Sequence, residues 1–209
     1  MPTSAEKRLP VKIPPPITTG KVSVEEAIAR RRSVRHFSRK PLSLGAISQI
    51  LWAAQGITDE DSGFRAAPSA GALFPLELYL VVRKNGVEGL PEGVYHYEPK
   101  GHRLVLVKGG DLTSELETAT WGQEIVKEAA ATVVITGVLS RTAEKYGRRS
   151  SQYVSQESGH AAQNAFLQAA ALGVCTVVIG AFGEGAVRRA VGAETGERPL
   201  YVQPLGLPA

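Results

Sequence analysis

The stretch "RAAPSAGALFPLELYLVVR", residues 65–83, decides the reading of the fold. Its first half is a run of small residues around Pro68 and Gly71, the composition of a tight turn. Its second half is rich in leucine, valine and tyrosine and reads as a buried strand from Leu76 to Arg83. A small-residue loop feeding a buried strand lets a flat ligand approach backbone held by a rigid element. Ser69 adds a hydroxyl there that can donate and accept. Taken alone, Pro-Ser-x-Gly is also an ordinary turn.

Upstream of the loop, "SLGAISQILWAAQG" predicts an amphipathic helix with Leu44, Ile47, Leu51 and Ala54 on one stripe, Ser43 as N-cap and Gly56 as C-cap. "SVEEAIARRR" predicts another, opened by a capping box of Ser23 with Glu26 and carrying Val24, Ala27 and Ile28 on one face. Residues 1–22, proline-rich through "KIPPPITTG", read as an extended arm ahead of a single domain over 23–209. Downstream, "VYHY-EPKG-HRLVLV" reads as a β-hairpin. Asp111 caps a helix running towards Trp121, and "ATVVITGVL" is a strand. From Ser151 to Leu172 the pattern is one long helix, rich in Ala and Gly on more than one side, which suits burial against another helix or across a subunit interface. "GVCTVVIG" is a strand, "EGAVRRAVG" a short helix and "LYVQPLG" a last strand. Helices and strands therefore mix within one domain.

The composition, 43% hydrophobic and 21% charged over 209 residues, is that of a soluble globular chain. No apolar leader opens the sequence, and the longest apolar stretch, 129–139, is too short to span a bilayer. A soluble, cytoplasmic protein is expected. The single cysteine, Cys175, lies in an apolar run with no adjacent base, so it reads as an inert thiol. Redox chemistry here requires a cofactor. The net charge of +4 invites a nucleic-acid reading. Yet Arg30, Arg31, Arg32, Arg35, Arg39 and Lys40 crowd into eleven positions without one acid, and these six outnumber the whole excess of four. A duplex-binding face spreads its charge over several elements, and no aromatics interleave here as a single-strand platform requires. The cluster reads as a site.

Motif by motif, much is excluded. His36, His96, His102 and His160 are scattered, with no HExxH and no second cysteine, so no metal site is expected. "GAFGEGAV" lacks the third glycine of a dinucleotide loop and the GK[ST] of a P-loop, and no GxSxG is present. Three segments remain. In "RRRSVRHF", Arg31, Ser33 and Arg35 can converge on a phosphate if the backbone turns extended after the helix. The competing reading is a solvated helix end, where cations suit the dipole. The Pro68–Gly71 loop is the second segment. The third is "VVIGAF", where Gly180 and Ala181 end a strand with backbone N–H groups free of bulky neighbours.

RRSVRxF, then PSAGALFPLELYLVV, then KYGRRxxxY, ESGHAAQN, ALG and IGAF, in that order, resemble the nitroreductase superfamily and more narrowly its SagB-type dehydrogenase branch. The resemblance runs from about Ser23 to Gly206. It implies an α+β fold, a mixed sheet flanked by helices, in an intertwined homodimer with FMN at the subunit interface. Carried over by position, Arg31, Arg32, Ser33 and Arg35 match the segment that holds the flavin phosphate and pyrimidine end. Pro68, Ser69, Ala70 and Gly71 match a loop lent by the partner subunit. Gln123 matches an amide that pairs with the flavin's pyrimidine edge, and Gly180 and Ala181 match the turn facing N5.

Lys145 and Tyr146 match a Lys-Tyr pair implicated as the proton-removing group in azoline oxidation. A neutral amine or a tyrosinate could serve as that base; a solvated lysine beside a packed tyrosine is the plain alternative. Two departures stand out. Ala72 and Phe74 replace polar residues that many members carry, and no basic residue follows Arg198, so Arg65 or Arg148 is the expected helper for the phosphate. The resemblance implies an FMN-dependent oxidoreductase. It would transfer hydride through flavin N5, either reducing small electrophiles such as nitro compounds with NAD(P)H or dehydrogenating azoline-like rings in a peptide. The alternative is a non-catalytic flavin-binding protein on the same scaffold, with nucleic-acid binding a distant third.

Overall fold

The structure, a computed structural model, describes residues 10–209. The expected strand of the 65–83 stretch is β4 (Leu76–Val82). Its alternation builds two cores at once: Leu78, Leu80 and Val82 enter one, and Tyr79 and Val81 the other. β4 lies at the centre of a seven-stranded sheet. To one side come β5 (Gly93–Glu98), β6 (Arg103–Gly109) and the short β1 (Val11–Lys12). To the other come β7 (Ala131–Val138), β9 (Glu197–Gly206) and β8 (Cys175–Thr176), giving the order β1-β6-β5-β4-β7-β9-β8. Every named pair in this sheet is antiparallel. Among the described residues, parallel pairing reaches it only through the bridge from Ser33 to Thr176. The expected "GVCTVVIG" strand is thus mostly irregular, with β8 at its head and one bridge from Ile179 to Val202.

One face of the sheet is covered by α2 (Leu44–Gln55) and the 22-residue α6 (Ser150–Ala171). The other is covered by α3 (Thr113–Ala119), α4 (Glu124–Glu128) and α7 (Glu184–Val191). Gly137 on β7 lets α6 come close: a Cβ there would stand 2.6 Å from Val154 Cγ1 and 3.0 Å from a Leu200 methyl. Ser43 caps α2 as expected, accepting from the Ala46 N–H at 3.2 Å. Gly56 closes α2 in extended conformation, not left-handed. It is glycine for space, since a Cβ would fall 2.1 Å from Trp52 Cδ1. Between α2 and β4 the expected loop contains a small hairpin, β2 (Ile57–Asp59) with β3 (Phe64–Arg65), and a 3₁₀ turn at Ala70–Ala72.

In the N-terminal part the arm lies against the domain, and one expectation changes. Residues 10–22 of the arm are woven into the domain. β1 extends the sheet, the Ile17 N–H reaches Gln49 Oε1 at 2.8 Å, and the Pro14 carbonyl accepts from Ser48 Oγ. Residues 1–9 lie outside the described part. In α1 (Val24–Arg30) only Ala27 of the anticipated stripe is buried, while Val24 and Ile28 are exposed. The capping box is half formed: Ser23 Oγ accepts from the Glu26 N–H, but the Glu26 carboxylate turns to Arg30. The unburied side of α1 borders a groove of about 830 Å³ between the arm, α2 and the C-terminal half of α6.

Candidate functional site

The residues singled out from the sequence gather into two groups. The first begins where α1 ends. Arg31 is its C-cap and turns the chain extended, with φ −54° and ψ 123°. The extended backbone then runs along the sheet edge: Ser33 bridges Thr176, the Val34 N–H donates to the Thr176 carbonyl at 3.0 Å, and Ser38 donates to Leu207. That is the geometry in which alternate side chains point the same way. The Arg31 guanidinium rests 4.8 Å above the Phe166 ring. Such a contact contributes roughly 0.5–1 kcal/mol at an exposed site, less than the roughly 1.5–3 kcal/mol of a hydrogen bond to an anion. It therefore aims Arg31 without consuming it. Arg32 bonds back to the Ala29 and Arg31 carbonyls, and the exposed Arg35 side chain has no partner among the described residues.

Four residues beyond Thr176 lies the Gly180–Ala181 turn, exposed and without a side chain larger than methyl. A pocket of about 270 Å³ opens beside Gly180, lined by Ser155 and Ser158 of α6 and by Arg198 and Tyr201. Gln123 joins this group. Its amide donates to the Ala181 carbonyl at 3.0 Å and to Thr120 at 3.1 Å, which staples the α3–α4 turn to the Gly180 turn and leaves its own carbonyl as the open polar atom.

The second group surrounds the small-residue loop. Gly71 sits at φ +66°, a conformation L side chains avoid. A Cβ there would stand 2.8 Å from Tyr146 Oη and 2.9 Å from Lys145 Nζ, so the expected pair at the end of α5 (Leu139–Tyr146) lies directly against the expected loop. Tyr146 packs edge-on against Tyr153 of α6, ring centres 5.0 Å apart. Ser69 Oγ accepts from the Phe74 N–H at 2.9 Å. One turn along α6 from Tyr153, Glu157 is only 3% exposed beneath the loop. Burial pushes its carboxyl above the ordinary glutamate value, although the Ser69 hydroxyl, the Ala70 N–H and nearby Arg65 oppose the rise. Its Oε1 has no hydrogen-bond partner among the described residues.

The two groups occupy different sides of one helix. Glu157 and Phe166 are nine residues apart on α6, a separation that turns the helix by about 180° beyond whole turns. Tyr153 and Glu157 face the loop, whereas Ser155 and Phe166 face the arginine segment and the Gly180 turn.

Comparison with known proteins matches this architecture. The profile of the Nitroreductase family covers residues 28–207. The chain belongs to the nitroreductase family, a family of oxidoreductases. MJ1384 of Methanocaldococcus jannaschii, designated a nitroreductase, is 40% identical over 185 residues, which is 88% of this chain and 91% of that protein. A solved structure designated a nitroreductase from Ralstonia eutropha JMP134 superposes with a TM-score of 0.85 at 27% identity, covering 100% of this chain and 93% of the other. A chain of the Escherichia coli microcin synthetase McbBCD complex, with truncated pro-MccB17 bound, superposes with a TM-score of 0.75 at 26% identity, covering 96% and 78%. The nitroreductase fold expected from the sequence is thus the fold observed.

Within that fold, Arg65 does not join the arginine segment. Its guanidinium donates to Gln55 Oε1 at 2.9 Å and stacks 4.8 Å over Phe74, so it is committed inside the domain. Arg148 is exposed in the turn after Tyr146, in the second group. Glu157 escaped sequence reasoning because a glutamate among Ser, Gly and Gln looks like a surface position. Its one signal was membership in "ESGHAAQN". Cys175 is half-buried and its thiol is pushed up by burial, which suits an inert side chain. Among the described residues no cluster of His, Cys, Asp and Glu could hold a metal, and no helix is long and apolar enough to cross a membrane.

Proposed function

We propose that this nitroreductase-family chain is an FMN-dependent oxidoreductase acting as a cytoplasmic homodimer. Each site takes the Arg31–Arg35 segment, Gln123 and the Gly180–Ala181 turn from one protomer and the Pro68–Gly71 loop with Lys145 and Tyr146 from its partner. The observation that carries this reading is the placement of the two groups on different sides of α6: two copies packed along that helix complete both halves at once, whereas one copy leaves them apart. The exposed apolar residues Val24, at the edge of the long groove, and Ile28 supply surface for that packing.

The residues fit the cofactor. Arg35 is uncommitted, Arg31 is aimed by Phe166, and Ser33 stands between them on extended backbone, so three donors are available to one phosphate. The small side chains at 69–72 and at 180–181 leave room for a flat ring against backbone. When bound, FMN supplies hydride acceptance and donation at N5. The rest is done by the chain. The arginine segment stabilises negative charge at the phosphate and pyrimidine ends, and the Gly180–Ala181 amides offer donors to the ring. Lys145 Nζ and Tyr146 Oη, held against Gly71, take or return a proton at the substrate. That pair supports substrate dehydrogenation of the azoline kind, with oxygen as the final acceptor. NAD(P)H-driven reduction of small electrophiles needs only the turn and the open face.

The test is the visible spectrum of freshly purified protein, repeated after FMN addition and desalting, with Arg31→Ala and Arg35→Ala alongside. The expected result is a retained flavin spectrum in the parent, with retention falling roughly tenfold or more in each variant, since each loses a hydrogen bond to an anion. A parent that stays colourless after loading contradicts the proposal. Retained flavin without turnover, with NADPH and a nitroaromatic or with an azoline peptide, would favour the non-catalytic flavin-binding alternative.

A further inference from the structure

Trp121 breaks two local rules at once. It is 69% exposed, the most exposed large hydrophobic side chain among the described residues. Its backbone is left-handed, at φ +58°, where a glycine or asparagine would sit at lower cost. Gly122 follows at φ +77°, so the turn had a glycine available and still placed the tryptophan first. The conformation is locked: the Trp121 N–H donates to Thr118 and the Gly122 N–H to Glu117, at 3.1 and 2.9 Å. A bulky residue in a left-handed position with its ring in water gains neither burial nor backbone relief. Such a residue points to a role outside folding.

Its place in the molecule says what that role is. The turn carrying Trp121 is tied to the Gly180 turn twice, by Gln123 to the Ala181 carbonyl and by the Gly183 N–H to the Ala119 carbonyl at 2.9 Å. The indole nitrogen lies 3.7 Å from the point that a Gly183 side chain would occupy, which puts it beside the backbone two residues beyond Ala181. It is also apart from the apolar surface around α1 and the arm: the long groove bordered by Val24 and Ile17 does not include it.

We propose that Trp121 is the stacking platform of the active site, receiving the flat, conjugated ring of the molecule that exchanges electrons beside the Gly180–Ala181 turn. This rests on the flavin site proposed above and adds its specificity: planar nitroarenes and heteroarenes are held by the indole face, and compact non-planar acceptors are not. A ring stacked on a fixed indole keeps its face parallel to a rigid surface at small entropic cost, because the left-handed turn has already immobilised the platform.

The test uses FMN-loaded protein reduced anaerobically with dithionite and mixed with acceptor, so that no biological electron donor is needed. Flavin reoxidation is followed against concentration for p-nitrobenzoate and for ferricyanide, in the parent, Trp121→Phe, Trp121→Leu and Trp121→Ala. The expected result is an apparent affinity for the nitroarene about tenfold weaker in the Leu and Ala variants and within about threefold of the parent in the Phe variant. Ferricyanide rates and flavin content stay unchanged. Equal loss with both acceptors, or a Phe variant as impaired as the Ala variant, overturns the platform. So does a Trp121→Ala chain that loses its dimeric state. A parent that binds no FMN overturns the underlying site as well, and flavin absorbance separates that outcome from failure of the tryptophan alone.

Discussion

The arginine segment and the Ser69–Gly71 loop lie on different sides of α6 and differ in how complete each is by itself. Around the loop the framing side chains are engaged, Ser69 with Phe74 and Glu157 and Arg65 with Gln55 and Phe74, while Lys145 and Tyr146 lie close against Gly71. Along the arginine segment the backbone bonds to Thr176 and Leu207, but the Arg35 guanidinium has no partner among the described residues. The loop is a finished scaffold, and the segment is a set of donors without an acceptor. That difference fits the proposed division of roles, with the charged ligand group at the segment, and shape and the proton-handling pair at the loop.

The comparison can be broken most forcefully at its glycines. Gly71 is needed for φ and for space, whereas a Cβ on Gly180 would meet only Tyr201 Cε1 at 3.8 Å, an ordinary contact. Gly71→Val should cost roughly 1–2 kcal/mol of stability from the left-handed backbone alone. By pushing Lys145 and Tyr146 aside it should also lower turnover at least tenfold. Gly180→Ala keeps the backbone N–H and should leave melting temperature and flavin retention close to the parent's. If both glycines prove equally tolerant in thermal melts and flavin loading, the contrast between a packed loop and an open turn is wrong.

A smaller effect sharpens it at Glu157. Glu157→Ala removes the acceptor for Ser69 and leaves the Ala70 N–H without its carboxyl, which should cost about 1–3 kcal/mol. Glu157→Gln keeps a carbonyl acceptor and should lose far less. The pH dependence separates the two roles of the carboxyl. Burial raises its folded value above the ordinary 4.5, so the folded chain holds a proton that the unfolded chain releases. This contribution is complete below about pH 4.5 and declines as pH rises towards the folded value. Glu157→Gln, which cannot ionise, should flatten that decline in melting temperatures measured from pH 4 to 8. An unchanged slope would show that Glu157 does not titrate in this way.

Much of this was legible in residue order. A buried apolar run placed β4, alternating runs placed the hairpin, and the long Ala- and Gly-rich run from Ser151 is α6, shifted by one residue at each end. The ordered motifs named the loop, the arginines and the Lys-Tyr pair. What stayed hidden depended on facts that local pattern does not carry. The apolar side of α1 looked like a core stripe, but only Ala27 of it meets the core, and Val24 and Ile28 are exposed. Gly56 is the C-cap that the sequence indicates, but the reason it is glycine, space for the Trp52 ring, is not written in local pattern. Glu157 and Trp121 are the sharper cases. Each has the opposite burial from what its residue type suggests, and only tertiary placement reveals it.

The central claim, that each site is assembled from two chains, is tested most directly by mixing subunits. One variant carries Arg31→Ala and Arg35→Ala, the other Gly71→Val, each with a different affinity tag, and both homodimers should lose FMN. In a mixed dimer one of the two sites inherits both defects, and the other inherits an intact arginine segment from one chain and an intact loop from its partner. The account predicts that doubly tagged dimers recover one FMN per dimer, half of the parent's content. Mixed dimers that stay as colourless as the two homodimers would contradict it, because the arginines and the loop would then have to serve the same chain.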